Sequence, residues 1–221
     1  MQHKFKCLSA FIILICLVSG CSNDSTTKKE TQQKSETKQA KAEEIQVSDK
    51  EKDELKEKLL IYADQYGKDK GMAISNRYFS SSDHTQGDGY ALTEDGELQI
   101  TNHNKPGKKA FKVHNIVGIS AYYSKNNVKG IDKQAQDLTN IQGYNEVADM
   151  NKPITKYLFA DNGKVYQYEF TQNEDVTLST GFADKDYNGK DPNLKPNVAF
   201  TEVKDKDIVQ KWKKLLSKYK S

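Results

Sequence analysis

The hydrophobic period of this chain changes twice, and those changes limit what it can fold into. Behind Ser48 and Glu51, which are spaced as a capping box, Leu55, Leu59, Tyr62, Ala63 and Tyr66 recur at helical spacing and Gly67 follows. This pattern predicts an amphipathic helix that stops at Gly67. Near the other end, Ile208, Val209, Trp212, Leu215, Leu216 and Tyr219 share one helical face, with Lys211, Lys213, Lys214, Lys218 and Lys220 around the other. Between these helices the period is two. Residues 90–92 and 97–100 flank Glu94-Asp95-Gly96, and residues 155–160 and 164–170 flank Asp161-Asn162-Gly163. Turn formers between alternating runs predict two hairpins. Residues 77–80, 111–123 with a break near Gly118, and 176–182 are further strands by their aromatic and β-branched content. Residues 131–151 are polar, with Leu138, Ile141, Tyr144 and Val147 as the apolar points, and are expected to form a loop with one helical turn.

These elements combine most simply as an α+β fold: a single antiparallel sheet of five to seven strands, barrel-like in its curl, packed with the N-terminal and C-terminal helices. The alternative, an up-and-down barrel, differs in leaving a ligand-sized interior. About 170 residues suit one domain, 48–221. The net charge is +3, and Arg77 is the sole arginine. Bidentate phosphate or base contacts are therefore scarce, and no nucleic-acid partner is expected.

The first twenty residues read differently. Lys4 and Lys6 precede an apolar run from Cys7 to Val18, which leads into Val18-Ser19-Gly20-Cys21. The layout is that of a secretory signal, and the run is shorter than the roughly 20 residues a spanning helix needs. Small residues ahead of a cysteine at this point resemble the lipobox of bacterial lipoproteins. The resemblance implies cleavage between Gly20 and Cys21 and a diacylglyceryl (palmitate-type) anchor on the Cys21 thiol. Two or more acyl chains make such an anchor effectively permanent, so the membrane partner is reached through lipid alone. The other cysteines, Cys7 and Cys16, leave with the signal, so the exported part holds no disulfide. Without Lys4 and Lys6, 32 basic residues face 31 acidic ones.

Residues 21–47 follow as the lipidated cysteine and its tether. From Ser22 onward they are Ser, Thr, Gln, Lys and Glu with almost nothing apolar, which cannot offset the entropy of ordering. A flexible coil of that length spans on the order of 25–30 Å. In style, the lysine-rich composition, tether and lipobox are similar to small surface lipoproteins of Gram-positive, staphylococcus-like bacteria. That similarity implies a place at the outer face of the cell membrane.

Few residues announce chemistry. Asp184, Asp186 and Asn188 follow the DxDxNG start of a calcium loop, whose alternating oxygens wrap the ion. Its closing position is Lys195 instead of glutamate, and Pro192 occupies another ligand position, so a polar turn is the stronger reading. Ser80 to His84 places serine, aspartate and histidine along one loop, whereas triads are assembled across a fold. His103 and His114 have no carboxylate or histidine at metal-ligand spacing. Tyr122, Tyr123, Tyr157, Tyr166 and Tyr168 could form a binding platform, but strand alternation favours core packing. No catalytic residue is nominated and no cofactor is expected. The expected function is a membrane-anchored, non-enzymatic binding or accessory module with a cell-wall or protein partner. The alternatives are a cell-envelope enzyme with a fold-assembled site, or a signal whose residues 13–20 are released as a pheromone.

Overall fold

Residues 47–76, 87–135, 138, 141–171, 181–185, 188, 190 and 195–219 are described by the computed structural model, all within the unit Lys41–Ser221. In chain order they form α1 (Asp49–Lys70), β1 (Ala73–Ser75), β2 (Gly89–Thr93), β3 (Gly96–Gln99), β4 (Val113–Tyr122) and β5 (Gly130–Ile131). Then come α2 (Ile141–Val147), β6 (Ile154–Ala160), β7 (Val165–Phe170), β8 (Phe182–Asp184), β9 (Ala199–Glu202) and α3 (Lys206–Leu216).

The capping box of α1 is formed: Ser48 Oγ accepts from the Glu51 backbone N–H, and the Ser48 N–H donates to Glu51 Oε2 at 2.8 Å. The helix does not stop at Gly67. It continues to Lys70, where Gly71 takes the left-handed conformation (φ 69°) that ends helices. Gly67 is needed for a different reason. A Cβ there would stand 2.6 Å from Ile74 Cγ1 and 2.7 Å from the Met72 carbonyl oxygen, so its missing side chain lets α1 lie against β1.

Both expected hairpins are present, β2–β3 around Gly96 and β6–β7 around Gly163. Strands β3, β2, β9, β7, β6 and β4 follow one another and close, because β3 also pairs with β4. The result is a six-stranded barrel in an α+β fold. Strand β4 has room for three neighbours: β6 on one edge, and β3 then β1 along the other. The expectation of one purely antiparallel sheet is corrected, since β1–β5, β2–β9 and β3–β4 are parallel. Parallel pairs need long crossovers instead of tight turns, so no local signal marks them. Among the described residues the sheet has nine strands, more than expected, because strands as short as β1, β5 and β9 do not show a period of their own. The 77–80 strand and most of 176–182 lie outside the described residues.

Alternation along β6 divides the core. Ile154, Leu158 and Ala160 belong to an inner cluster with Tyr166, Phe170, Phe182 and Phe200, while Tyr157 and Phe159 belong to an outer one. The outer cluster also holds Leu55, Leu59 and Ala63 of α1 and Ile208, Trp212 and Leu216 of α3. The Trp212 indole N–H donates to the Ala160 carbonyl at 2.9 Å. Inside, aromatic rings occupy the barrel. Phe182 stacks on Phe200 at 5.4 Å, and Tyr144 meets Phe170 edge-on at 5.4 Å. The 131–151 segment supplies Tyr144 through the seven residues of α2, a longer helix than one turn, and Tyr144 and Leu138 are buried in the inner cluster.

Candidate functional site

An irregularity in β4 builds the site. Asn115 pairs with Ala160 and Val117 with Phe159, which leaves Ile116 as an extra residue. The sequence placed a break near Gly118; the ladder breaks here instead. Val113 packs in the inner cluster and Val117 in the outer one, although both are odd-numbered, so the side chains change faces across the bulge. Bulges re-aim side chains in this way and are common beside functional sites. His114, Asn115 and Ile116 line a cleft of about 240 Å³ against the start of α1. Lys52, Asp53 and Lys56 form its helical wall, and residues 99–102 with Lys108 form the third side. Asn115 Oδ1 is buried and has no hydrogen-bond partner among the described residues. A buried acceptor left in that state costs about 1–3 kcal/mol.

His114 forms the inner wall. Its Nδ1 lies 2.6 Å from Asp161 Oδ2 and its Nε2 lies 3.0 Å from the Lys108 carbonyl. Both partners only accept, so both ring nitrogens donate and the ring is an imidazolium. Burial opposes that charge, but the Asp161 carboxylate and the Lys108 carbonyl together outweigh it and raise the His114 pKa above the usual value. The pair is also tied through the backbone, as the His114 N–H donates to Asp161 Oδ1 at 3.0 Å and the Asp161 N–H to the His114 carbonyl at 3.0 Å. With neither nitrogen free, this imidazole anchors the β6–β7 turn to β4 and has no lone pair to offer as a base.

Asp88 positions the third side. Its fully buried carboxylate accepts from the backbone N–H groups of His103 (2.6 Å), Lys105 (3.1 Å) and Gly107 (2.6 Å), and from Gln99 Nε2 (3.1 Å). Bonds to a buried carboxylate are among the strong ones. They gather the β3–β4 crossover around one point and so set where Lys108 begins.

Two other polar groups are spent on structure. At the hairpin ends, Asp95 Oδ2 accepts from Lys164 Nζ (2.8 Å) and Tyr166 Oη (2.5 Å), which holds its carboxyl below the usual range, and Lys164 also lies 3.1 Å from Glu202. Lys156 is fully buried in the barrel, with its ammonium 4.6 Å from the Phe182 ring centre and 5.8 Å and 5.9 Å from those of Tyr144 and Phe170. Burial pushes its pKa well below the usual lysine value.

Of the residues singled out from the sequence, Gly20, Cys21, residues 13–20 and the 80–84 loop lie outside the described residues, as does Asp186. Asp184 ends β8 opposite Gly89 of β2, and Asn188 Oδ1 accepts from the Lys190 N–H at 3.0 Å, as in an ordinary turn. Tyr122, Tyr157 and Tyr166 are buried, Tyr168 packs against the inner cluster, and Lys152 lies over the Tyr123 ring at 4.7 Å. They form no exposed platform. The sequence marked His114 only as a lone histidine and Asp161 only as a turn residue, because the two are far apart in it. The available signal was the polar pair His114-Asn115 inside an otherwise apolar strand. No family model, curated protein or solved structure matches the chain.

Proposed function

We propose that this chain is an extracytoplasmic lipoprotein, anchored through lipid on Cys21 at the outer face of the cell membrane, whose folded part is a non-enzymatic binding module. The apolar run from Cys7 to Val18 ending on Val-Ser-Gly-Cys carries the anchoring reading, and no cysteine follows Cys21. Residues 21–47 act as the tether of a single domain, 48–221, that faces the cell wall or a protein partner. In the finer architecture, the terminal helices cover one outer wall of the barrel, a reading supported by the shared cluster of α1, α3 and β6 side chains.

Two observations favour binding over catalysis. The barrel interior is filled by aromatic rings, and the imidazole at the cleft has both nitrogens occupied. The test is Cys21→Ala in cells fed labelled palmitate. Wild type is expected to carry label and fractionate with membranes, and the variant to remain a full-length, unlabelled precursor. If the variant is cleaved and retained on membranes like wild type, the anchoring reading fails.

A further inference from the structure

We propose that the His114 imidazole is a proton-operated latch on the Lys108–Ala110 turn of the β3–β4 crossover. With Nε2 protonated the turn is held against β4. When Nε2 gives up its proton to solvent, the turn lifts and the cleft widens on that side. This goes beyond the binding-module reading and does not depend on what the cleft takes up.

The ring faces two acceptors, and it satisfies both only while both nitrogens donate. A neutral ring keeps one N–H, so one of the two bonds is lost and a lone pair then faces an oxygen. The geometry decides which. Nδ1 lies 2.6 Å from a carboxylate oxygen, whereas Nε2 lies 3.0 Å from a neutral carbonyl, and a bond to a charged acceptor is the stronger. Asp161 is also unable to withdraw. Its Oδ1 accepts from the His114 N–H and its own N–H donates to the His114 carbonyl, each at 3.0 Å. The neutral ring is therefore the Nδ1–H tautomer, fixed by its carboxylate. Its Nε2 lone pair then stands opposite the Lys108 carbonyl oxygen, and two acceptors at that distance repel.

The part that yields is equally confined. Ahead of the turn, the Asp88 carboxylate holds the Lys105 and Gly107 N–H groups at 3.1 Å and 2.6 Å. Behind it, Phe111 is buried with its ring 6.3 Å from that of Tyr90. Between these fixed points Lys108, Lys109 and Ala110 are exposed, and the Lys108 carbonyl also accepts from the Phe111 N–H at 3.2 Å. Among the described residues, the charged groups facing the ring are Asp161, which favours the imidazolium, and Lys108, whose ammonium opposes it. Gln99, the β3 partner of His114, is neutral, and Lys52, Asp53 and Lys56 line the α1 side of the cleft. The Lys108 ammonium pushes the turn away only while the ring is charged, but that repulsion acts on an exposed side chain and is screened. The carbonyl contact is direct, so it sets the direction of the change.

Nuclear magnetic resonance of the isotope-labelled full chain in detergent micelles, from about pH 5.5 to about pH 9, tests the latch. Ring nitrogen shifts report the tautomer. Exchange of the Phe111 amide, corrected for its intrinsic rise with pH, reports the turn. The ring is expected to lose its proton from Nε2, and Phe111 protection to fall about tenfold over the same interval, while the Gly107 and Asp161 amides keep theirs. Asp161→Asn keeps an oxygen for the His114 N–H but lacks the charge, so both curves should move together to lower pH. His114→Gln does not titrate and should leave Phe111 protection independent of pH. Should either variant fail to fold, the wild-type curves decide alone. The proposal is overturned if the neutral ring is the Nε2–H tautomer, if the ring keeps both protons throughout, or if Phe111 protection does not follow the ring. Loss of Asp161 and Phe111 protection in step would also overturn it, as a general loosening of the fold.

Discussion

At the scale of single residues, His114 makes the sharpest claim because its two hydrogen bonds require a charged ring. The unfolded chain binds this proton with a pKa near 6.5, whereas the folded chain holds it to higher pH. The folded state therefore binds more protons in between. This contribution to stability is fully present below about pH 6.5 and is lost as pH rises through the folded value, at no more than about 1.4 kcal/mol per pH unit for one proton. Thermal midpoints measured from pH 5.5 to 9 should fall over that upper range in wild type, and His114→Gln should flatten the fall. Equal slopes would show that the ring is not charged in the fold. Little of this was legible beforehand. Asp161 was recognisable only as a turn residue, and His114 only as a histidine in a strand, because a contact between positions so far apart leaves no periodic trace. Asn115 left a weak mark, as a second polar residue in succession within β4.

At the scale of elements, local rules worked where local energetics decide. The capping box, the alternation of β6 and β7, and both hairpin turns follow from hydrogen bonding and φ preference within a few residues. The exception is Gly67, where two effects compete. Gly67→Ala would gain about 1 kcal/mol of helix propensity. It would also drive a methyl against the Met72 carbonyl and Ile74, and overpacking of this kind costs about 1–3 kcal/mol. Part of that contact is backbone and cannot rotate away, so the clash should win and urea unfolding should show a net loss of about 1 kcal/mol. A gain instead would mean that α1 can lift off β1 at little cost. Glycine reads as a helix stop by default, and only the Met72 carbonyl and the Ile74 side chain beside it reveal the other reason for it. The strands that went unread, β1, β5 and β9, are too short to carry a period of their own.

At the scale of the whole molecule, the two halves of the core share β6, whose side chains alternate between them. Damage to the outer cluster should therefore reach the barrel. Trp212→Ala removes a fully buried ring and its bond to Ala160, and is expected to cost about 3–5 kcal/mol. Fluorescence of the inner tyrosines and far-ultraviolet circular dichroism should then shift together in one transition. Two separated transitions would show that the helices and the barrel unfold independently. The α+β class and the barrel-like curl were legible in the sequence, whereas the closure was not, because its seams join distant strands. One of those seams, Leu92 to Ala199, has a consequence in time. A chain made from its N-terminus delivers β2 and β3 about a hundred residues before β9. Until then β7 has an edge with no strand to meet, and β2 has only β8, along Gly89 to Ala91. The barrel therefore cannot be completed before Ala199–Glu202 have emerged, and until then the growing polypeptide stays open, threadable and exposed to helpers or proteases.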